Sequence, residues 1–374
     1  MLTGVLLTYE KQITGWADTR NYKVVAPSAN PQQLPVEQLL ASAKEKRKSE
    51  PSAITKRNNA YAPVEVSFGR EGTLFLNPYT AEVFGEGSHG VRSFFRTVTD
   101  WHRWLGAQGE HRNTMRAITG ACNLGFLILV VSGFYLWWPQ RLSLKYLRNV
   151  IWFKRGLPSK ARDFNWHNVI GFWSAIPLFI IVLSGVVISY TWAGNLVYVI
   201  VGETPPAPRS NQAPPNPSTQ KTPNEPSGST LGIGSLWTRA EQQVSGWQSI
   251  TLQLSQSVEA PATFSIDQGN GGQPQKRAQL ALDRKTGSVV RFEPFSSNTR
   301  GRQLRTILRF AHTGEVLGIV GQSIAGLVSG GGMFLVWTGF ALAWRRLRGW
   351  LARRAKSKSG TANSRTEVLV SAGD

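Results

Sequence analysis

The sequence predicts an α+β membrane protein: a bundle of apolar helices bearing two extramembrane α/β domains, assembled by internal duplication. Three observations predict it. Long runs without charge alternate with large polar segments, basic residues gather in two of the polar segments, and a repeated pattern carries a histidine in each copy.

The runs 117–138 and 171–192 hold no charged side chain. Each is long enough to cross a hydrocarbon core of roughly 30 Å at about 1.5 Å per residue. A third run, 316–344, is equally free of charge but rich in glycine, which suits close helix approach inside a membrane bundle.

The net charge of +20 follows topology rather than nucleic-acid binding. Arg141, Lys145, Arg148, Lys154, Arg155, Lys160 and Arg162 fill the loop between two runs, and Arg345, Arg346, Arg348, Arg353, Arg354, Lys356 and Lys358 follow the last. Positive-inside asymmetry makes both segments cytoplasmic and the two large polar segments external. The one cysteine, Cys122, falls within a run, so disulfides, thiolate clusters and a C-x-x-C-H haem attachment are excluded for this chain.

The repeat sets the order of elements. Leu74 to Val83, then basic Arg92 to Arg96, lead to Trp101-His102-Arg103-Trp104-Leu105-Gly106; Gln279 to Val289, then Arg300 to Arg309, lead to Ala311-His312-Thr313-Gly314. Thr80 and Thr286 are 206 apart, His102 and His312 are 210 apart, and Ser132-Gly133-Phe134 and Thr338-Gly339-Phe340 are again 206 apart. A repeat that carries its histidine along is a repeated site. Residues 2–9 also match 183–190, the end of a full span, with a shift of 181. The expectation is therefore that residues 1–10 are the remnant of a first helix, and that a histidine equivalent to His167 lies about 14 residues before Met1.

The predicted order is a remnant of helix 1 at 1–10, an external domain at 11–110, helix 2 at 111–138, a basic cytoplasmic loop at 139–166 and helix 3 at 167–192. A Pro-rich linker and second external domain follow at 193–311, then helix 4 at 312–344 and a basic tail at 345–374. Within the first external domain, Val36, Leu39, Leu40 and Ala43 mark one helix face, and 64–68 and 74–76 read as strands. The second domain repeats the order, with a helix at 236–244 and strands at 249–254, 262–266, 278–282 and 288–292. Each is a helix on a small antiparallel sheet. Residues 205–229 read as a linker without a core.

Five histidines are present. A single histidine at a membrane interface reads first as a snorkelling side chain beside Trp101 and Trp104. The repeat-related His102 and His312, together with His167 at the cytoplasmic start of its helix, reverse that preference towards axial ligation of haem, which needs imidazoles from different helices. His111 is second choice because the other copy has no counterpart, and His89 reads as a solvated loop residue. Gly85-Glu86-Gly87-Ser88-His89-Gly90 formally fits a dinucleotide fingerprint, but no βαβ unit surrounds it.

Trp101-His102-Arg103-Trp104-Leu105-Gly106, Ser132 to Pro139, Asn165-Trp166-His167-Asn168-Val169-Ile170-Gly171 and His312-Thr313-Gly314-Glu315 together resemble the PepSY-associated transmembrane family of bacterial inner-membrane proteins. The likeness runs nearly the whole chain. It implies four helices, two periplasmic PepSY-like domains and b-type haem, two haems in the full-length protein. It further implies a haem-dependent oxidoreductase, passing electrons from an unidentified cytoplasmic or membrane donor to a periplasmic ferric siderophore and so aiding iron uptake. By position, His102 and His312 resemble the ligands of an outer haem and His167 one ligand of an inner haem. Arg92, Arg96, Arg300, Arg302, Arg305 and Arg309 could attract anionic chelates or simply bind lipid phosphate. Two rival readings remain: a membrane-anchored PepSY interaction or peptidase-regulatory protein, and a haem or siderophore carrier without redox turnover.

Overall fold

The computed structural model describes residues 1–25, 32–137, 148, 150–207, 230–255 and 260–371, the last helix as backbone alone beyond 354. Arg141 and Lys145 of the basic loop, most of the Pro-rich linker and the side chains of Lys356 and Lys358 lie outside the described residues.

Three helices are long and apolar enough to cross a membrane, over His111–Leu136, Ser159–Ser189 and Glu315–Arg354. The helical elements are α1 (Leu2–Leu7), α2 (Glu10–Thr19), α3 (Val36–Arg47), α4 (His89–Trp104), α5 (His111–Trp137), α6 (Ser159–Ser189), α7 (Thr191–Ile200), α8 (Ile233–Gln243), α9 (Arg300–His312) and α10 (Gly318–Ser371). Helix α6 is the hub of the bundle and packs against α5, α9 and α10, while the short α1 lies between α10 and α4. Leu178, Ile181 and Val182 of α6 meet Ala325 and Val328 of α10 in a small buried cluster. The span read from the sequence as 171–192 is broken at its end: Tyr190 is extended and begins α7.

Outside the bundle, eight strands form one antiparallel sheet in the order β4-β3-β2-β1-β5-β6-β7-β8. They are β1 (Ala53–Arg57), β2 (Val64–Ser67), β3 (Thr73–Leu76), β4 (Val83–Gly85), β5 (Ser249–Gln253), β6 (Ala262–Asp267), β7 (Arg277–Leu282) and β8 (Val289–Pro294). The two small sheets expected from the sequence are thus halves of a single sheet, joined where β1 pairs β5 from Ala53↔Gln253 to Arg57↔Ser249. At the centre of that seam Thr55 faces Thr251, with their hydroxyl oxygens 2.8 Å apart. The join has a direct cause: a half-sheet ending in β1 or β5 would leave a row of unpaired backbone groups, and pairing the two edges satisfies both.

The hydrophobic face of the sheet is covered by α3 and α8. Alternating inward residues, Ile54, Val64, Val66, Leu74, Leu76, Ile250, Leu252, Phe264, Ile266, Leu280 and Leu282, share one core with Val36, Leu39 and Ala43 of α3 and Leu236, Trp237 and Ala240 of α8. The Glu37 carboxylate of α3 accepts from the Gly234 amide of α8 at 2.6 Å, tying the covering helices together. Strand β1 was not legible in the sequence because Lys56 and Arg57 interrupt its apolar pattern; Lys56 lies over the Trp237 ring, where its aliphatic stem can pack.

One expectation is corrected at the membrane-proximal end of the first half. His89 does not lie in a loop: it opens α4, whose N-cap Ser88 accepts from the Val91 amide. It is nonetheless exposed, and its Nε2 pairs with Glu86 at 2.7 Å.

Candidate functional site

His102 and His312 sit at the C-terminal ends of the amphipathic helices α4 and α9, which lead from the sheet to the bundle. The start of α4 is clamped by Asp18 of α2, a buried carboxylate that accepts from the Ser88 amide at 2.8 Å, from Arg92 Nε at 3.1 Å and also from Arg92 Nη2. Arg92 therefore neutralises a buried charge and serves the fold, rather than standing free to attract an anion. Helix α4 stops just past His102, where Leu105 and Gly106 both adopt positive φ. Helix α9 ends at His312, and the chain turns into α10 through Gly314 at φ 75°. A side chain there would meet the Gly321 carbonyl at 2.3 Å, so only glycine fits the turn that sets His312 beside α6.

The two rings face each other across the bundle. Their centroids are 6.1 Å apart and their planes are inclined at 54°. His102 Nδ1 lies 2.9 Å from Thr3 Oγ1 of α1. His312 Nδ1 lies 2.8 Å from the Ile181 carbonyl oxygen and 3.2 Å from Ser184 Oγ, both on α6. A carbonyl can only accept, so His312 carries its proton on Nδ1 and its lone pair on Nε2. Burial, with the neighbouring His312, the amino terminus and Arg103 adding to it, lowers the pKa of His102 to about 4.

These observations fit a haem iron. Imidazoles bound to one metal through opposed nitrogens, at metal–nitrogen lengths of about 2 Å, hold their ring centroids roughly 6 Å apart. An imidazole that held such an iron through one nitrogen would need its other nitrogen anchored by an outer partner, and both rings have such partners. Among the described residues no group of three or more His, Cys, Asp or Glu is placed to hold a metal ion. A pair of imidazoles instead suits a metal whose remaining donors belong to a macrocycle.

His167 stands apart from this pair, near the start of α6, with Nδ1 2.8 Å from Thr338 Oγ1 of α10. His111 opens α5 as an exposed residue and is not part of the facing pair. Thr3, Ser184 and Thr338 escaped the sequence reading as site residues. The signal was present: the segments containing them are the ones the repeat aligns, but nothing in one sequence says that a hydroxyl touches an imidazole.

A family model for the PepSY-associated TM region matches residues 1–358. No curated protein matches the chain.

Proposed function

The chain belongs to the PepSY-associated transmembrane family, and from that premise we propose that it is a haem-containing, multi-pass inner-membrane reductase that delivers electrons to a ferric siderophore in the periplasm. The observation that carries this reading is the facing pair His102 and His312 at 6.1 Å. In this reading the protein is an internal duplication of a helix, domain and helix unit, each copy lending one histidine to the outer haem. His167 holds the inner haem from the opposite end of α6.

Haem, when bound, supplies one-electron transfer at a potential set by its axial ligands and surroundings. The chain's own residues do the rest. His102 and His312 would hold the iron from two helices; the His312 Nδ1–H, donated to the Ile181 carbonyl, keeps its Nε2 free of a proton, and Thr3 Oγ1 holds the His102 ring through Nδ1. Arg96, Arg302 and Arg305 are exposed on α4 and α9 next to the membrane and can draw an anionic ferric chelate towards it.

Full-length protein should show a Soret band and reduced α-band of low-spin haem. When reduced and mixed with a ferric siderophore it should reoxidise and pass Fe(II) to a ferrous trap. Protein from haem-replete cells that lacks any Soret band would overturn the proposal and favour the interaction-protein reading. That second reading has one observation behind it: β8 is an edge strand exposed along almost its whole length, with Val289, Val290 and Phe292 open to a partner strand.

Topology has its own test. With Cys122 replaced by serine, a cysteine at Asn59, on the sheet side, should react with an impermeant maleimide applied from outside. One at Ser159, beside the basic loop, should not. The reverse pattern would invert the orientation and move the chelate to the wrong face.

A further inference from the structure

The three histidines of the bundle share a setting that the ligand assignment does not itself require. Each Nδ1 rests on the hydroxyl of a serine or threonine, and each of those hydroxyl residues is followed by glycine: Thr3-Gly4 for His102, Ser184-Gly185 for His312 and Thr338-Gly339 for His167. The glycines adjoin the same rings. A Cβ at Gly4, Gly185 or Gly339 would lie 3.9, 3.3 or 3.5 Å from the Cε1 of His102, His312 or His167. Thr3 and Ser184 are related by the shift of 181, so the two halves place the same pair against the corresponding histidine. The third pair, on α10, serves the other site.

The hydroxyl geometry decides the tautomer. Ser184 Oγ donates to the Ile180 carbonyl at 2.7 Å, and Thr338 Oγ1 donates to the Phe334 carbonyl at 2.7 Å. This back-bonding to the preceding turn uses the only hydroxyl proton, so the oxygen can offer the imidazole nothing but a lone pair. The Nδ1 of His312 and of His167 must then be the protonated nitrogen, which leaves their Nε2 unprotonated, whereas Thr3 Oγ1 at the start of α1 makes no such back-bond and can donate to His102 Nδ1 or accept from it.

We propose that Thr3–Gly4, Ser184–Gly185 and Thr338–Gly339 are positioning pairs. The Ser184 and Thr338 hydroxyls fix His312 and His167 as the Nδ1–H tautomer, the Thr3 hydroxyl orients the His102 ring, and the small glycine beside each lets the ring edge lie against the helix, most tightly at Gly185, so that Nε2 would be presented to a haem iron. The inference rests on the haem reading for its purpose, but the tautomer it assigns exists without haem. The pairs are not equal. Thr3 and Thr338 are the single Nδ1 partners of His102 and His167 among the described residues, whereas His312 retains the Ile181 carbonyl if Ser184 is lost.

The test compares Thr3→Val, Thr338→Val and Ser184→Ala in the full chain, with Thr3→Ser and Thr338→Ser as rescues. Ser132→Ala is the control, because Ser132-Gly133 on α5 is a pair against which no described histidine rests. Thr3→Val should broaden the low-spin electron paramagnetic resonance signal of the outer haem and speed haem transfer to apomyoglobin by about tenfold, the lower end of the usual effect of losing an outer partner of a metal ligand. Thr338→Val should do the same to the inner haem, both serine variants should restore the wild type, and Ser184→Ala and Ser132→Ala should change little. In protein stripped of haem, side-chain 15N shifts should report Nδ1–H for His167, and Thr338→Val should convert it to a tautomer mixture. Haem-loaded Thr3→Val and Thr338→Val with wild-type spectra and release rates, or stripped Thr338→Val with wild-type 15N shifts, would overturn the positioning role. A wild type without a Soret band that still shows the 15N effect would overturn the haem reading alone.

Discussion

In the proposed haem site, replacing His312 by alanine should abolish the low-spin signature while the protein still inserts and folds. The reason lies in what the ring touches. Its Nδ1 proton goes to the Ile181 carbonyl, which also accepts from Ser184 Oγ at 2.9 Å, so removing the ring leaves no buried acceptor orphaned. The lost ligand has no substitute nearby, since His111 and His89 are exposed and outside the facing pair. Reduction of a ferric chelate should fall by more than about tenfold, because even an outer partner of a metal ligand is worth that much. His102→Ala should reproduce the loss, whereas His89→Ala and His111→Ala should leave spectrum and rate alone. An unchanged low-spin spectrum in His312→Ala would remove the facing pair from the site.

Phe264→Ala should do the opposite, costing stability and sparing the site. Phe264 is fully buried in β6, pairs across the sheet with Leu252 of β5 and Leu280 of β7, and meets Trp237 of α8 edge-on with centroids 5.9 Å apart. Truncating a buried phenylalanine costs about 3–5 kcal/mol, from lost transfer energy and the cavity left behind. Because the two halves share one core, the loss should appear as a lower single melting transition for the whole sheet and not as the melting of one half. The spectrum of the proposed haem below that transition should be unchanged, since the buried core that holds Phe264 contains no residue of α4 or α9. Two separate transitions, or a loss below about 1 kcal/mol, would contradict the shared core.

What could be read in advance follows the range of the interactions involved. The apolar runs are properties of consecutive residues, while α3 and α8 show the 3.6-residue period and β2, β5 and β6 the 2-residue period of one-sided burial. Elements without such a period escaped: β1 is interrupted by charge and β4 has three residues. The Arg92–Asp18 clamp escaped for another reason, since a buried pair 74 residues apart in sequence leaves no local trace.

By itself the sequence determined that this is a membrane protein of the PepSY-associated family with a repeated histidine, because length, hydropathy and repetition are summed along the chain and need no knowledge of neighbours. Only the tertiary structure decided that the half-sheets fuse through β1 and β5, that His102 and His312 face each other, and that hydroxyls on α1, α6 and α10 receive the imidazoles. Those outcomes depend on strand edges seeking partners and on contacts between residues 99 and 131 positions apart, such as Thr3 with His102 and Ile181 with His312. Such distances are set by how the helices pack, which no local pattern encodes.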